Sequence, residues 1–219
     1  MARDVLREAA EAVGAASIAA VVGLSLYLDA RHVFDVGPLE LIALSVGAFL
    51  IHDVAHRAYL ELAGLRGRFR FSLTGSAFSL VIAGVQSGIS LIVSAAAGPG
   101  VVLRLAPYRF LAPGTVMAEG LKEKASLGRL ALIGPGANMV VSWLAFLLAF
   151  SPMGQAQRDL VLLASAFNAY MSLTSLLPFA FCDGLTIYWW DKRIWAVLLG
   201  ASVVLIALSN TGLLLMAPR

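Results

Sequence analysis

The run Phe49-Leu50-Ile51-His52-Asp53-Val54-Ala55-His56 places three ionisable side chains inside an apolar segment, residues 38–60. About 20 consecutive apolar residues make a membrane-crossing helix. Ionisable groups at that depth are costly, and they mark function by default. Residues four apart share one face of a helix, so His52 and His56 can reach a single metal ion. A solvated pair at a helix end would carry no such meaning. Two imidazoles with a carboxylate between them, in a lipid-facing run, point to metal binding.

Outward from this stretch the chain repeats the same texture. Apolar runs cover residues 13–28, 38–60, 73–97, 130–150, 160–181 and 194–216, with Gly- and Pro-containing links between them. The chain has 219 residues, 60% hydrophobic and 13% charged, against roughly 45–50% and about 25% for a soluble domain. That composition excludes disorder, a conventional soluble enzyme, and nucleic-acid binding as the main task. The runs are continuous rather than alternating, which argues against a porin-like barrel. The expectation is an all-α polytopic membrane protein, one domain over 1–219, with five to six transmembrane helices. Residues 1–12 mix acids with bases, so they read as a retained lead-in rather than a cleaved signal. Cys182 is the only cysteine, which excludes an intrachain disulfide.

Charge distribution selects a topology. If all six runs cross, the 16 Lys and Arg residues divide 8 to 8 between the two sides. If run 73–97 leaves and returns on one side, only Arg31, Arg158 and Arg219 lie opposite the rest, 13 to 3. The positive-inside rule favours the second arrangement, with the N-terminus toward the cytoplasm. Segment 73–97 is then re-entrant or surface-lying, and 98–129 is an irregular loop able to line a water path.

A zinc site with an open position takes three protein ligands. Glu40 and Asp159 begin helices at the far side from His56, and Glu61 points away round its helix. Asp183 follows Pro178 and precedes Gly184, where the chain can turn sharply. It reaches the level of His56 only if run 73–97 does not cross. The charge asymmetry and the ligand set therefore demand the same topology.

Three separated motifs then resemble the site-2 protease family of intramembrane zinc metalloproteases, most closely its compact archaeal-type members. His52-Asp53-Val54-Ala55-His56 is similar to the family's H-E-x-x-H, with Asp in place of Glu. Gly134-Pro135-Gly136-Ala137-Asn138 is similar to G-P-x-x-N, read as a helix start with Asn138 in a packing role. Ser175 to Pro178, with Asp183-Gly184, is similar to N-x-x-P-x-x-x-x-D-G, with Ser175 for Asn and Leu185 for the second Gly. Ala112-Pro113-Gly114-Thr115-Val116 resembles a stretch that the family places before G-P-x-x-N. The motifs span most of the chain in the family's order.

The resemblance implies that His52, His56 and Asp183 bind Zn²⁺ and that Asp53 is the general base. It implies that Asn168 helps hold the substrate carbonyl or oxyanion, or alternatively bonds a neighbouring helix. The expected activity is hydrolysis of a peptide bond in a transmembrane segment of another protein, with the lipid bilayer as the other partner and no nucleic acid. Asp is one methylene shorter than Glu, and a misplacement of about 1 Å can cost roughly 100-fold in rate. A catalytically weak or inactive relative that binds membrane partners is thus the second reading, and a small metal transporter the third. Arg66, Arg68 and Arg70 alternate with Gly67 and Phe69 as an inner-surface anchor or short strand, or by the resemblance a substrate-binding edge. Trp189, Trp190 and Trp195 read as an interfacial belt, and His32 as a solvated loop residue.

Overall fold

The computed structural model describes residues 2–30, 34, 36–98 and 109–216. The elements are α1 (Ala2–Ala30), α2 (Pro38–Leu62), β1 (Gly67–Phe71), α3 (Leu73–Ala97), β2 (Gly114–Ala118), α4 (Lys124–Leu148), α5 (Gln155–Ser175), α6 (Asp183–Trp190) and α7 (Lys192–Met216). The chain is a multi-pass helical membrane protein. Among the described residues, five helices are long and apolar enough to cross: α1 over Leu6–Leu28, α2, α3, α4, and α7 over Lys192–Leu215.

Local chemistry sets the boundaries. Pro38 occupies the first turn of α2, where its missing N–H costs nothing, and Glu40 faces the positive end of the helix dipole. Ser72 caps α3 by accepting the Gly75 N–H at 3.0 Å.

α5 is the least apolar of the long helices because protein, not lipid, surrounds it. It packs against α4, α7 and α2, and Leu162, Ser165, Ala169 and Ser172 are fully buried. At 21 residues it is about 31 Å long, enough to span a bilayer core. Hydroxyls join it to its neighbours. Ser165 bonds Ser142 O of α4 at 2.9 Å and Ser209 of α7 at 2.7 Å, and Ser172 meets Ser202 of α7 at 3.0 Å.

β1 and β2 pair antiparallel with Phe69 opposite Val116. The Ser72 N–H donates to Pro113 O at 2.9 Å. The chain between these residues therefore leaves one end of the bundle and comes back to it. This is the net result the charge asymmetry demands, and α3 is a continuous helix within that excursion. The return is anchored by buried Arg109, which donates to Ser25 of α1 and Ser87 of α3 at 3.3 and 3.4 Å.

Three expectations are corrected in detail. Stretch 98–129 is not irregular throughout: residues 114–118 form β2 because β1 offers them a partner, and α4 begins at Lys124. Pro135 therefore lies inside α4 and does not start it. The carbonyl it frees one turn earlier is tolerable in a helix packed against neighbours. Apolar run 160–181 is helical only to Ser175, three residues before Pro178, and turns through residues 176–182. His32 lies outside the described residues.

Candidate metal centre

α2 and α4 cross where His52 and His56 of α2 face Gly134 and Asn138 of α4. The irregular turn after α5 brings Asp183, the first residue of α6, into the same place. His52 Nε2 lies 2.9 Å from Asp183 Oδ2, His56 Nε2 lies 3.5 Å from the same oxygen, and the two Nε2 atoms are 3.1 Å apart. All three residues are nearly removed from the surface. His52, His56 and Asp183 form a group that could hold a metal ion.

The hydrogen bonds around His52 fix which of its ring nitrogens donates to Asn138. Asn138 Nδ2 donates to the Ala48 carbonyl at 2.9 Å and to Asn168 Oδ1 at 2.8 Å. The Ala48 carbonyl can only accept, so the amide nitrogen of Asn138 must face it. Asn138 Oδ1 is thereby turned to His52 Nδ1 at 3.0 Å, and Nδ1 must donate. In a neutral imidazole this leaves Nε2 as a bare lone pair. That lone pair faces a carboxylate oxygen and a second imidazole nitrogen at contact distance. With His56 Nε2 also unprotonated, three acceptors converge on one point, the arrangement that a metal ion draws together. With bonds of about 2.0 Å a tetrahedral ion separates its ligands by about 3.3 Å, and the observed separations of 2.9, 3.1 and 3.5 Å bracket that value. The donor set and its triangle fit such an ion.

Two glycines make the convergence possible. A Cβ on Gly134 would strike His56 Nε2 and the His52 ring. A Cβ on Gly184 would strike the Leu176 carbonyl, closing the turn that delivers Asp183. Burial opposes ionisation of Asp183; protons on His56 and His52 outweigh it and lower the carboxyl pKa, and a cation in the same place would act in the same sense. The start of α6 adds a favourable dipole.

Asp53 is buried on the same helix but outside the ligand trio. Its Oδ2 accepts from Arg57 Nε at 2.8 Å, while Oδ1 is buried with no hydrogen-bond partner among the described residues. Arg57 also bridges to Glu8 of α1 at 3.0 Å. Asn168 is one step further from the trio. Its Oδ1 accepts from Asn138 and its Nδ2 donates to the Ala164 carbonyl at 2.9 Å, so in this arrangement it steadies Asn138.

Sequence reasoning quoted Gly134 and Asn138 as parts of one motif, with packing the favoured role for Asn138, and gave Arg57 and Glu8 no role at the site. An asparagine inside an apolar helix was the available signal for Asn138. The others carry meaning only once α1, α2 and α4 are in contact. No family model matches the chain, and no curated protein and no solved structure matches it.

Proposed function

We propose that the protein is an intramembrane metalloprotease that binds Zn²⁺ through His52, His56 and Asp183 and cuts a transmembrane segment of another membrane protein. The observation that carries this reading is the ligand triangle, two imidazoles and a carboxylate from separate elements, with one imidazole fixed by Asn138. When bound, the ion would polarise a carbonyl and lower the pKa of water to about 7. Asp53 offers the unpartnered Oδ1 to take a proton from the attacking water and return it to the leaving amine. Arg57 holds the other oxygen of that carboxylate and fixes its orientation. Asn138 and Asn168 keep His52 aimed.

Arg57, Arg66, Arg68, Arg70, Lys122, Lys124, Lys192 and Arg193 sit at the β1–β2 end of the bundle, whereas Arg158 bonds Ala149 O at the opposite end. By the positive-inside rule, this asymmetry supports reading the metal centre as facing the cytoplasm.

One observation favours a second reading, a metal-binding protein without useful turnover. Asp53 is shorter than glutamate and is already engaged by Arg57. Proteolysis of a single-span reporter by wild type, Asp53→Glu and Asp53→Ala separates the two. The protease reading expects wild type to cut and Asp53→Ala to lose at least about 100-fold. Wild type as inactive as Asp53→Ala, with activity only in Asp53→Glu, establishes the second reading. Metal analysis should find one zinc per chain in wild type and none in His56→Ala.

A further inference from the structure

Two membrane-crossing helices begin on a lysine at the same end of the bundle, α4 at Lys124 and α7 at Lys192. Where an apolar span begins, its first residues stand at the level of the lipid headgroups. Short α6 packs against both of these helices. Its last residues, Tyr188, Trp189 and Trp190, line an open cleft of about 650 Å³ together with Lys124 and Lys192. Small-ligand sites span roughly 300–1,000 Å³.

The cleft joins cations to aromatic surface. Lys124 and Lys192 are exposed, and neither makes an ion pair among the described residues. Lys192 Nζ stands 5.1 Å from the centre of the Tyr188 ring. The acids next to the lysines are engaged elsewhere. Asp191 Oδ1 accepts the Arg193 and Ile194 N–H groups at 2.7 and 3.2 Å, and Glu123 Oε2 accepts from Ser126 Oγ at 2.7 Å. Trp189 is 64% exposed, and such rings concentrate at the membrane interface. Positive charge beside an exposed indole, at headgroup depth, complements an anionic phospholipid. The ammonium groups suit its phosphate, and the ring suits its glycerol and upper acyl chain.

The cleft is tied to the metal centre through α6. Trp190 is seated on Gly128 of α4, where a Cβ would strike its ring. Tyr188 meets Trp195 edge-on, with 5.2 Å between ring centres, and Trp195 Nε1 donates to the Leu176 carbonyl at 2.8 Å. That carbonyl lies against Gly184, the residue after Asp183. A helix of eight residues, about 12 Å long, thus carries the third ligand at one end and the cleft at the other.

We propose that this cleft binds the headgroup of an anionic phospholipid, and that the bound lipid steadies α6 and with it Asp183. The headgroup site stands without the metalloprotease reading, and only the link to Asp183 rests on that reading's ligand set.

The test titrates the full-length protein in non-ionic detergent with phosphatidylglycerol and with phosphatidylcholine of the same chains, and counts bound lipid by native mass spectrometry. Phosphatidylglycerol should bind at least about ten-fold more tightly, and Lys124→Gln/Lys192→Gln should lose that preference. Lys124→Arg/Lys192→Arg should keep it. Arg66→Gln/Lys122→Gln removes the same charge outside the cleft and should behave as wild type. No preference for phosphatidylglycerol, an equal loss in the two glutamine doubles, or displacement of the lipid by equimolar glycerol phosphate overturns the headgroup site. Chelator titration of the zinc-loaded protein in nanodiscs tests the link. Discs containing phosphatidylglycerol should require at least about five-fold more chelator than pure phosphatidylcholine discs, and Lys124→Gln/Lys192→Gln should abolish the difference. Zinc held equally in both discs overturns the link alone. Zinc bound in neither sinks the ligand reading and leaves the headgroup site to the lipid titration.

Discussion

Asn138 fixes which nitrogen of His52 is bare, and it is itself fully buried. Asn138→Ala strands the His52 Nδ1–H and removes the donor to Asn168 Oδ1, and an orphaned buried group costs about 1–3 kcal/mol. Partners of metal-binding histidines also set affinity, so this substitution should weaken metal binding about 10–100-fold. Asn168→Ala acts only through Asn138 and should cost less; competitive chelator titration ranks the two. Gly134→Ala puts a methyl group against both imidazoles. It should abolish stoichiometric metal while the helical circular dichroism stays at the wild-type level. His52, His56 and Asp183 were legible in the sequence because four-residue spacing on a helix and a Pro–Gly turn are local facts. The roles of Asn138 and Gly134 depend on α4 crossing α2 at one depth, which no local pattern encodes.

α5 owes its place to hydroxyls as much as to apolar packing. Ser165 ties it to both α4 and α7. Interhelical hydrogen bonds in membranes contribute roughly 0.6 kcal/mol on average and up to about 1.7. Ser165→Ala should lower unfolding stability by about that amount, and Ser165→Leu by more, because no space is left for the larger side chain. Unfolding in mixed micelles measures both. The helix count was readable from hydropathy, since lipid-facing helices must be apolar. The ends of α4 and α5 were not. α4 extends into a polar stretch to Lys124, and α5 stops at Ser175 although apolar residues continue to Phe181. Pro135 misled for a related reason: a proline reads as a helix boundary, yet here neighbouring helices keep α4 continuous through it.

At the scale of the molecule, paired β1 and β2 put residues 68 and 117 beside each other. Single cysteines at Arg68 and Lys122 should label from one face of a vesicle, and a cysteine at Met153 from the other. Native Cys182 gives a silent background, because burial and the neighbouring Asp183 carboxylate push its thiol up to about 12. Maleimide at pH 8 should leave it unmodified in the folded protein and modify it after denaturation. The one-sided excursion between β1 and β2 was legible from charge alone, because the placement of cations records topology. The pairing that closes it was not, since Gly67–Phe71 and Gly114–Ala118 are short and far apart in the chain. Order of synthesis gives the ligand triangle a further meaning. Asp183 lies 131 residues beyond His52. At ribosomal speeds of roughly 5–20 residues per second, α2 waits on the order of ten seconds for its third ligand. Throughout that interval the nascent chain carries two histidines and no complete centre. Under the metalloprotease reading, the protein is thus unarmed while α1 to α5 enter the bilayer, and becomes competent only after the turn beyond α5 has formed.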